Sequence, residues 1–458
     1  MRATKPLKKL NKETMAEVFY AGEFARDIIR RKKPKYLEVV VRNLPLRGVA
    51  KYLRKYGSII EVDKDKGFVI FEPRENGSII KVSLPKKGKK YNAYYELIDD
   101  AKARDFTINA MYLPINSKSK ADIIDFLGGQ RDIKRRRIKT VRAPKYSIKE
   151  NPERILRAIS LSASLHYKID VNLFYSIKSN HFLINKLSAE DIRNELVEIL
   201  LSDKPSKCFK ILYKLGLLNI IMPELGIAVG VMQNEKYHKY DVFRHCIYAC
   251  DKVEPDLILR LAALLHDIGK PQTREEVTNR DGKIKATFYN HEVMGSKIAK
   301  RILKRLKFSQ AVILQVTELI YHHMYNYEPN EWTDTAVRRF IKKIKITDKD
   351  LKDLANLPVF LVRKADRLAN GQTLKAISYR QRMFEERIKK IYNESKVLDV
   401  GDLVIDGTII MEKFNLKPGP TIGNILNRLL SMVIEDQKMN DKDLLIEAAS
   451  DYLSEALK

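Results

Sequence analysis

Hydrophobic and polar positions in the first 115 residues follow two periods, one typical of strands and one typical of helices. Short apolar or alternating runs predict strands at three places: YLEVVV (36–41), GFVIFEP (67–73) and GSIIKVSLP (77–85). LRGVAKYLRKYG (46–57) has the spacing of a helix, and IIDFLGG (123–129) ends this part in a glycine turn. Residues 1–145 are therefore predicted to form an α+β head with a mixed sheet and helices.

From about residue 146 onward the pattern is almost entirely helical. Apolar residues recur every three to four positions in three segments: NPERILRAISLSASL (151–165), SAEDIRNELVEILLS (188–202) and KCFKILYKLGLL (207–218). NPE and SAED place Asn, Ser and early acidic residues where helix N-termini prefer them. The prediction is a mainly α-helical body with a neck (146–232), a central domain (233–372) and a tail (373–458).

The charge balance indicates the kind of partner. The 458 residues include 86 Lys and Arg against 58 Asp and Glu, a net charge of +28. This excess favours nucleic acid ahead of an anionic membrane, although a generally lysine-rich proteome would also produce it. No run of about 18 apolar residues predicts a membrane span. The N-terminus has no signal-peptide core, and Cys208, Cys246 and Cys250 form no disulfide framework or zinc pattern, so we expect a cytoplasmic protein.

Basic residues cluster at two places. RDIKRRRIKTVR (131–142) includes Arg135, Arg136 and Arg137, and we predict that it contacts the phosphate backbone of RNA. KIAKRILKRLK (297–307) places basic residues along one helix face and isoleucines on another. That second cluster is equally consistent with RNA contact and with a solvated amphipathic helix.

Six of the eight histidines lie between residues 238 and 323, in the predicted helical body. The residues that form a pattern are His245, the pair His266 and Asp267 at the end of the apolar run LAALL, His291, the pair His322 and His323, and Asp366. A lone histidine on an apolar helix is more often a packed core residue than a ligand. This series combines imidazole and carboxylate groups, which divalent metals bind when one position must stay open for water.

The H…HD…H…H…D series resembles the HD phosphohydrolase superfamily. The resemblance implies that His245, His266, Asp267 and Asp366 hold a metal ion, which would be Mn, Co, Ni, Fe or Mg. His291 and one of His322 and His323 would hold a second metal or bind phosphate, and Lys270 would face the phosphate. Such a metal lowers the pKa of bound water and polarises a phosphoryl group.

A second series of motifs lies in the head and continues through the body. The head motifs are DDAKARDFTINAMY (99–112), IIDFLGGQRDI (123–133) and ENPERILRAISL (150–161). They resemble the class II tRNA nucleotidyltransferase (CCA-adding enzyme) and bacterial poly(A) polymerase family. Further matches are LSAEDIRNELVEIL (187–200), FYNHEVMGSKIAKRILKRLKFS (288–309), WTDTAVRRFI (332–341) and DLVIDGTIIMEKFNLKPGPTIGNIL (402–426), so the resemblance covers nearly the whole chain.

The resemblance implies tRNA binding and nucleotidyl transfer with two Mg ions. In that family a Gly-Gly turn cradles the triphosphate, a DxD pair holds the metals, and EDxxR selects the base. The nucleotide-binding residues implied for this sequence are Gly22, Arg26, Asp27, Glu38, Arg104, Asp105, Asn109, Asn151, Arg154 and Arg157.

The head departs from the family pattern where the chemistry is done. The second glycine is Glu23, DxD is Tyr36-Leu37-Glu38, and the Asp of EDxxR is Asn151. A strand position that often carries a carboxylate is Lys81, which we expect to pair with Glu38. Because a phenol is neutral at pH 7 and cannot replace a carboxylate ligand, the changes predict an inactive polymerase site on an intact scaffold.

Three functions remain open from the sequence. The first is an RNA-binding protein, with tRNA as the expected RNA, whose HD site hydrolyses an RNA 3′-end phosphate, a cyclic phosphate or nucleotides beside an inactive head. The second is an active CCA- or A-adding nucleotidyltransferase with unusual ligands, and Mg at the head is expected only in this case. The third is a non-catalytic RNA-binding partner of an active paralogue.

Overall fold

The computed structural model describes residues 2–34, 37–75, 78–117, 119–234, 239–278, 284–325, 327, 332–371, 374–395 and 397–456. Two compact units make up the chain. The first contains residues 1–226 and 305–307, and the second contains residues 227–304 and 308–458.

The first unit contains a seven-stranded mixed sheet and most of the short elements. The strands of the whole unit are β1 (Glu17–Ala21), β2 (Leu37–Arg42), β3 (Gly57–Asp63), β4 (Phe68–Pro73), β5 (Ile80–Ser83), β6 (Lys86–Lys87), β7 (Lys90–Tyr91), β8 (Met111–Pro114), β9 (Ile124–Asp125), β10 (Arg137–Ile138) and β11 (Lys168–Ile169). Two pairs, β6 with β7 and β10 with β11, form separate two-stranded sheets. The sheet order is β3-β4-β5-β2-β1-β8-β9, with β2 and β5 parallel and the other neighbours antiparallel.

The α-helices of the first unit are α1 (Lys5–Glu13), α2 (Gly22–Ile29), α3 (Leu46–Leu53), α4 (Leu97–Ala103), α5 (Gly129–Lys134), α6 (Pro144–Glu150), α7 (Glu153–Leu165), α8 (Val171–Ser179), α9 (Ala189–Leu200), α10 (Pro205–Lys214), α11 (Leu218–Ile221) and α12 (Pro223–Gly226). Helices α1, α2 and α3 pack against strands of the seven-stranded sheet, and the further helices follow along the chain. Ser188 begins α9 by accepting a hydrogen bond from the Asp191 backbone N–H. On α7, Ile155 and Ile159 are fully buried, as the three-to-four-residue spacing predicts.

The second unit is mainly helical. Its elements are α13 (Val242–Cys250), α14 (Leu257–Leu265), β12 (Glu275–Thr278), β13 (Ile284–Thr287), α15 (His291–Arg305), α16 (Gln310–His322), α17 (Asp334–Ile344), α18 (Pro358–Ala369), α19 (Leu374–Glu394), α20 (Gly407–Phe414), α21 (Pro420–Glu435) and α22 (Lys442–Ala456). Helix α14 packs against α13, α16 and α18, and α18 also contacts α13 and α16. His245 and Asp366 lie on α13 and α18, whereas His266, Asp267 and His323 directly follow the ends of α14 and α16. A separate apolar core joins α20, α21 and α22.

The predicted fold class, an α+β head followed by a mainly helical body, is confirmed. Val39, Val40 and Val41 are fully buried in the central strand β2, which explains the continuous apolar run there. The division of the body into neck, central domain and tail stays a prediction. No helix within the described residues is long and apolar enough to cross a membrane.

Candidate functional site

The head contains a cavity of about 300 Å³. Its lining comes from the start of α2, from β2 and β5, from the segment after α4, and from α7. The lining includes Gly22, Glu23, Glu38, Lys66, Lys81, Lys86, Arg104, Asp105, Asn109 and Arg157. Six of the ten nucleotide-binding residues implied by the sequence therefore lie together in one cavity.

Gly22 is held in close contact with Glu38. Its φ is +62°, a left-handed conformation that side chains other than glycine rarely adopt. A Cβ placed on Gly22 would lie 2.1 Å from Oε2 of Glu38, far inside van der Waals contact. The glycine thus allows α2 to begin directly beside the Glu38 carboxylate.

Gly22→Ala is expected to lower the free energy of unfolding by about 1–3 kcal/mol, because it adds a left-handed strain and a clash with Glu38. Chemical denaturation with urea measures the change. Gly88→Ala is the matched control, since Gly88 has φ +59° but nothing lies within 4 Å of a Cβ placed there. Equal losses of stability in the two variants would show that contact with Glu38 does not restrict Gly22.

Glu38 forms an ion pair with Arg104: Nη2 of Arg104 lies 3.1 Å from Oε1 of Glu38. The predicted Glu38–Lys81 pair is wrong. The strand register does place these two residues opposite each other, but the Lys81 ammonium lies 5.1 Å from the centre of the Phe68 ring. The reason is burial: the Arg104 side chain is only 13% exposed and needs counter-charges, whereas Lys81 is exposed to water.

Arg104 has a second counter-charge in Asp100, whose Oδ2 lies 2.9 Å from its Nε. Burial alone would lower the pKa of Arg104, but Asp100 and Glu38 hold the pKa well above its usual value. Asp100 also accepts a hydrogen bond from the Tyr112 hydroxyl at 2.6 Å. This network fixes the Arg104 guanidinium at the wall of the cavity.

Arg26 and Asp27 support the cavity without lining it. Both are buried, and Nε of Arg26 lies 3.0 Å from Oδ1 of Asp27. Nη1 of Arg26 donates to Oδ1 of Asn109 at 3.0 Å, and the Asn109 amide donates to Asp105 at 3.3 Å. Arg26 therefore positions Asn109 and, through it, Asp105, which both line the cavity.

Asn151 and Arg154, the two EDxxR positions that the resemblance implies for base selection, do not line the cavity, whereas Arg157 does. Oδ1 of Asn151 accepts a hydrogen bond from the Glu153 backbone N–H at 2.9 Å, at the start of α7. Nη1 of Arg154 donates to the Ser147 carbonyl at 2.8 Å and to Glu150 at 3.0 Å. Asn151 and Arg154 thus support the helix that presents Arg157.

Sequence reasoning missed two cations in the cavity lining, Lys66 and Lys86. Lys66 belongs to the turn between β3 and β4, and Lys86 begins β6. Burial and the nearby Arg154 lower the pKa of Lys86. The sequence signal for Lys86 was the group of lysines in KVSLPKKGKK (81–90). This segment begins within strand β5, which borders the cavity, and continues past the end of that strand.

The second unit brings five histidine-series residues around Asp267. Oδ2 of Asp267 lies 3.4 Å from Nε2 of His245 and 3.3 Å from Nε2 of His266. Its Oδ1 lies 3.3 Å from Nε2 of His291 and 3.7 Å from Nε2 of His323. Oδ1 of Asp366 completes the group, 3.1 Å from Nε2 of His245.

These distances define two candidate metal centres that share Asp267. The first consists of His245, His266 and Asp267, and the second consists of Asp267, His291 and His323. The residues of both centres are buried. Nε2 of His291 and of His323 is buried without a hydrogen-bond partner among the described residues, as expected of nitrogens that coordinate a metal.

The backbone fixes the orientation of three of these rings. Nδ1 of His266, His291 and His323 lies 2.9, 2.8 and 2.6 Å from the carbonyl oxygen of the residue three positions earlier. A Nδ1–H bond of this kind turns Nε2 toward the centre and is a frequent support for metal-binding histidines. Burial lowers the pKa of His323 to about 4, so its ring is neutral at pH 7.

The charges at the centre are balanced by two cations. Nζ of Lys270 lies 2.6 Å from Oδ2 of Asp267, and Nη1 of Arg363 lies 2.7 Å from Oδ2 of Asp366. Burial alone would raise the pKa of Asp267, but His266 and Lys270 hold it well below its usual range. Lys270 therefore lies at the candidate centre, and its role in facing a phosphate stays a prediction.

The structure separates His322 from His323. The His322 ring lies away from the cluster, 4.9 Å from the Tyr321 ring, and it borders two other cavities. Burial and the nearby Lys343 and Lys345 lower the pKa of His322 to about 4. Of the two adjacent histidines, His323 is thus the one placed to bind metal or phosphate.

Arg135, Arg136 and Arg137 have different environments. Arg135 and Arg136 are exposed, and Arg136 has a left-handed φ of +50°. Nη2 of Arg137 lies 2.7 Å from the buried Asp132, and its Nη1 lies 3.3 Å from Asp170. Phosphate binding by the three arginines stays a prediction, and Arg137 is the least available of them because two carboxylates already pair with its charge.

Arg135→Ala/Arg136→Ala is expected to weaken tRNA binding and to flatten its salt dependence, with the log–log slope falling by about 0.9 for each phosphate that the protein no longer binds. Binding titrations at several salt concentrations give the slope. Arg137→Ala, the control, should leave the slope unchanged but lower the melting temperature, because Asp132 loses its partner. A slope that the double variant does not change would mean that these arginines only face solvent.

Three family models match parts of the chain. The poly A polymerase head domain matches residues 18–139, the probable RNA and SrmB-binding site of polymerase A matches residues 166–227, and tRNA nucleotidyltransferase domain 2 (putative) matches residues 276–449.

Two curated relatives cover most of the chain. The A-adding tRNA nucleotidyltransferase of Deinococcus radiodurans is 30% identical over 348 residues, which are 73% of this chain and 74% of the relative. The CC-adding tRNA nucleotidyltransferase of Thermus thermophilus is 26% identical over 432 residues, 92% of this chain and 91% of the relative.

Solved structures share the fold along nearly the whole length. The Bacillus stearothermophilus CCA-adding enzyme in complex with CTP has a TM-score of 0.65 at 17% identity, covering 98% of this chain and 97% of that chain. The Thermotoga maritima CCA-adding enzyme complexed with tRNA has a TM-score of 0.52 at 17% identity, covering 97% and 94%. At these identities the likeness concerns the fold.

Proposed function

Because the chain belongs to the tRNA nucleotidyltransferase and poly(A) polymerase family, we propose that it binds tRNA and adds nucleotides to the tRNA 3′ end in the cavity of the head. Relatives that add A or CC to tRNA, and a CCA-adding enzyme with tRNA bound, support this function. The proposal replaces the first interpretation of the sequence, in which the head was inactive, by the second.

The observation that carries the proposal is the charge pattern of the head cavity. Five cations line it: Lys66, Lys81, Lys86, Arg104 and Arg157. They surround a space of about 300 Å³, the lower end of the usual size range of small-molecule sites. The same lining holds the carboxylates Glu23, Glu38, Asp100 and Asp105, so the cations exceed them by one. Basic groups of this number suit a nucleoside triphosphate, whose phosphates carry the negative charge.

Glu38 and Asp105 are the residues that would hold a divalent cation there. Both carboxylates line the cavity, while Tyr36 lies outside the described residues. Mg²⁺ keeps several waters and is commonly bound through one or two carboxylates together with substrate phosphates, so these residues fit it. When bound, the cation supplies charge neutralisation at the phosphoryl group and lowers the pKa of the attacking hydroxyl.

The protein's own residues then position the nucleotide. Arg104, now paired with Glu38 at 3.1 Å, can exchange that carboxylate for a phosphate oxygen and still keep Asp100 as a counter-charge. Arg157 presents its guanidinium to the cavity from α7, where it can donate hydrogen bonds to a base or phosphate. Asn109 holds Asp105 toward the cavity.

The test is incorporation of labelled nucleotides into tRNA transcripts that lack one, two or three 3′ residues, with ATP or CTP supplied separately. The pattern of extension distinguishes A addition, CC addition and full CCA addition. No incorporation into any of the three transcripts, with Mg²⁺ or Mn²⁺ present, would overturn the proposal.

A second candidate function belongs to the Asp267 cluster. The five buried ligands around one shared carboxylate favour a metal-dependent phosphohydrolase there, of the HD type. Its substrate would be an RNA 3′-end phosphate, a 2′,3′-cyclic phosphate or a nucleotide. Hydrolysis of RNA with these ends, after supply of Mn, Co, Ni or Fe, tests this activity independently of nucleotide addition.

The third interpretation, a non-catalytic RNA-binding partner of an active paralogue, is the outcome if both assays fail. In that case tRNA binding would remain while neither incorporation nor hydrolysis is detected. A paralogue with an intact Gly-Gly turn and DxD pair in the same genome would then be the expected partner.

A further inference from the structure

The head cavity contains a carboxylate that opposes the ligand charge proposed for it. Glu23 lines the cavity from the first turn of α2, and its side chain is 22% exposed. The N-terminus of a helix attracts anions through its free backbone N–H groups. A carboxylate in that turn occupies the same field and repels other anions that approach it.

Glu23 is held in place by Arg157. Nη2 of Arg157 donates to Oε1 of Glu23 at 2.5 Å, and its Nη1 lies 3.4 Å from Oε1 of Glu195 on α9. Glu195 also accepts a hydrogen bond from the Ser160 hydroxyl. Two carboxylates, from α2 and α9, thus pair with the Arg157 cation, and a phosphate has to displace Glu23 before it can form an ion pair with Arg157.

We propose that Glu23 makes the cavity discriminate between ligands by their negative charge. With Arg157 engaged by Glu23, a nucleoside triphosphate meets a fixed negative charge, and it gains Arg157 only by displacing Glu23. An uncharged nucleoside meets no such repulsion. Glu23 is therefore a specificity-determining residue. This inference takes one premise from the proposed function, namely that the ligand of the cavity is a nucleotide.

The test is equilibrium binding of ATP and of adenosine to the full-length protein and to Glu23→Gln, at one fixed Mg²⁺ concentration. Glu23→Gln keeps the side-chain size but removes the charge. The expected result is about a tenfold gain in ATP affinity, because one like charge is removed and Arg157 is released, with little change for adenosine. The ratio of the two affinities is the readout.

Glu190→Gln is the matched control, since Glu190 lies in the exposed first turn of α9 and does not line the cavity. Glu23→Gly serves as a second variant, and melting temperatures show that each variant is folded. Equal gains for ATP and adenosine, or no gain for ATP, would overturn the inference.

Binding and nucleotide addition are separate measurements, so the two proposals can fail separately. If no variant adds nucleotides but Glu23→Gln binds ATP more tightly than the wild type, nucleotide addition is refuted and the role of Glu23 stands. If the wild type adds nucleotides and Glu23→Gln leaves the ratio of ATP affinity to adenosine affinity unchanged, nucleotide addition stands and the role of Glu23 is refuted.

Discussion

Glu38→Gln is expected to reduce nucleotide addition to tRNA by about 100-fold or more, since the carboxylate's hold on a divalent cation contributes about 3 kcal/mol or more to transition-state stabilisation. Glu38 has the role because its carboxylate faces the cavity beside Gly22, while the partner position of the motif is a tyrosine. The isosteric amide can still accept a hydrogen bond from Arg104, so folding should be little affected.

The measurement is the initial rate of label incorporation at saturating nucleotide. Glu61→Gln is the control, because Glu61 is exposed on β3 and does not line the cavity. Addition at an unchanged rate by Glu38→Gln would show that the chemistry does not depend on this carboxylate. The proposed site would then be wrong even if the protein adds nucleotides.

Asp267→Ala is expected to remove bound metal from the second unit and to abolish phosphohydrolase activity. Asp267 contributes one carboxylate oxygen to each candidate centre, so its loss affects both together. Mutating a residue that only hydrogen-bonds to a metal ligand typically lowers metal affinity by about 10–100-fold. Deleting Asp267, a ligand itself, is expected to lower the affinity by at least this much. Nucleotide addition should persist, because the residues proposed for it belong to the other unit.

Two neighbouring histidines provide the control for the metal prediction. His323→Ala should lower the metal content of the purified protein, whereas His322→Ala should not, because only the His323 ring lies in the cluster. Elemental analysis after loading with Mn, Co, Ni or Fe gives the content. Stoichiometric metal in Asp267→Ala, or equal losses in the two histidine variants, would exclude the assignment.

The sequence predicted which residues meet but not how they pair. The histidine series spans more than 120 positions, and the motif still identified, without ambiguity, five of the six residues that converge on one point. It could not separate His322 from His323, because both lie at the end of α16 and the helix phase there decides which ring faces inward. That phase depends on the packing of α16 against α14 and α18.

The same limit applies to the head. Strands β2, β4 and β5 followed from local patterns, and six of the cavity residues followed from the resemblance to the family. The partner of Glu38 is Arg104, which is 66 positions away along the chain. Arg137 likewise pairs with Asp132 and Asp170, although the run RRR looks uniformly basic in the sequence. Each of these two arginines pairs with one carboxylate four or five positions away and with a second one far along the chain, and local sequence patterns do not reveal the distant partner.

The pairing of β10 with β11 determines how short a working fragment of the first unit can be. Arg137 and Ile138 form a parallel ladder with Lys168 and Ile169, and Arg157 on α7 lines the nucleotide cavity. A truncation at residue 145 would remove one strand of that ladder and one wall of the cavity. It would also expose the apolar surface that α7 covers. We expect the minimal expressible polymerase module to end near Gly226, after α12, rather than at the edge of the sheet.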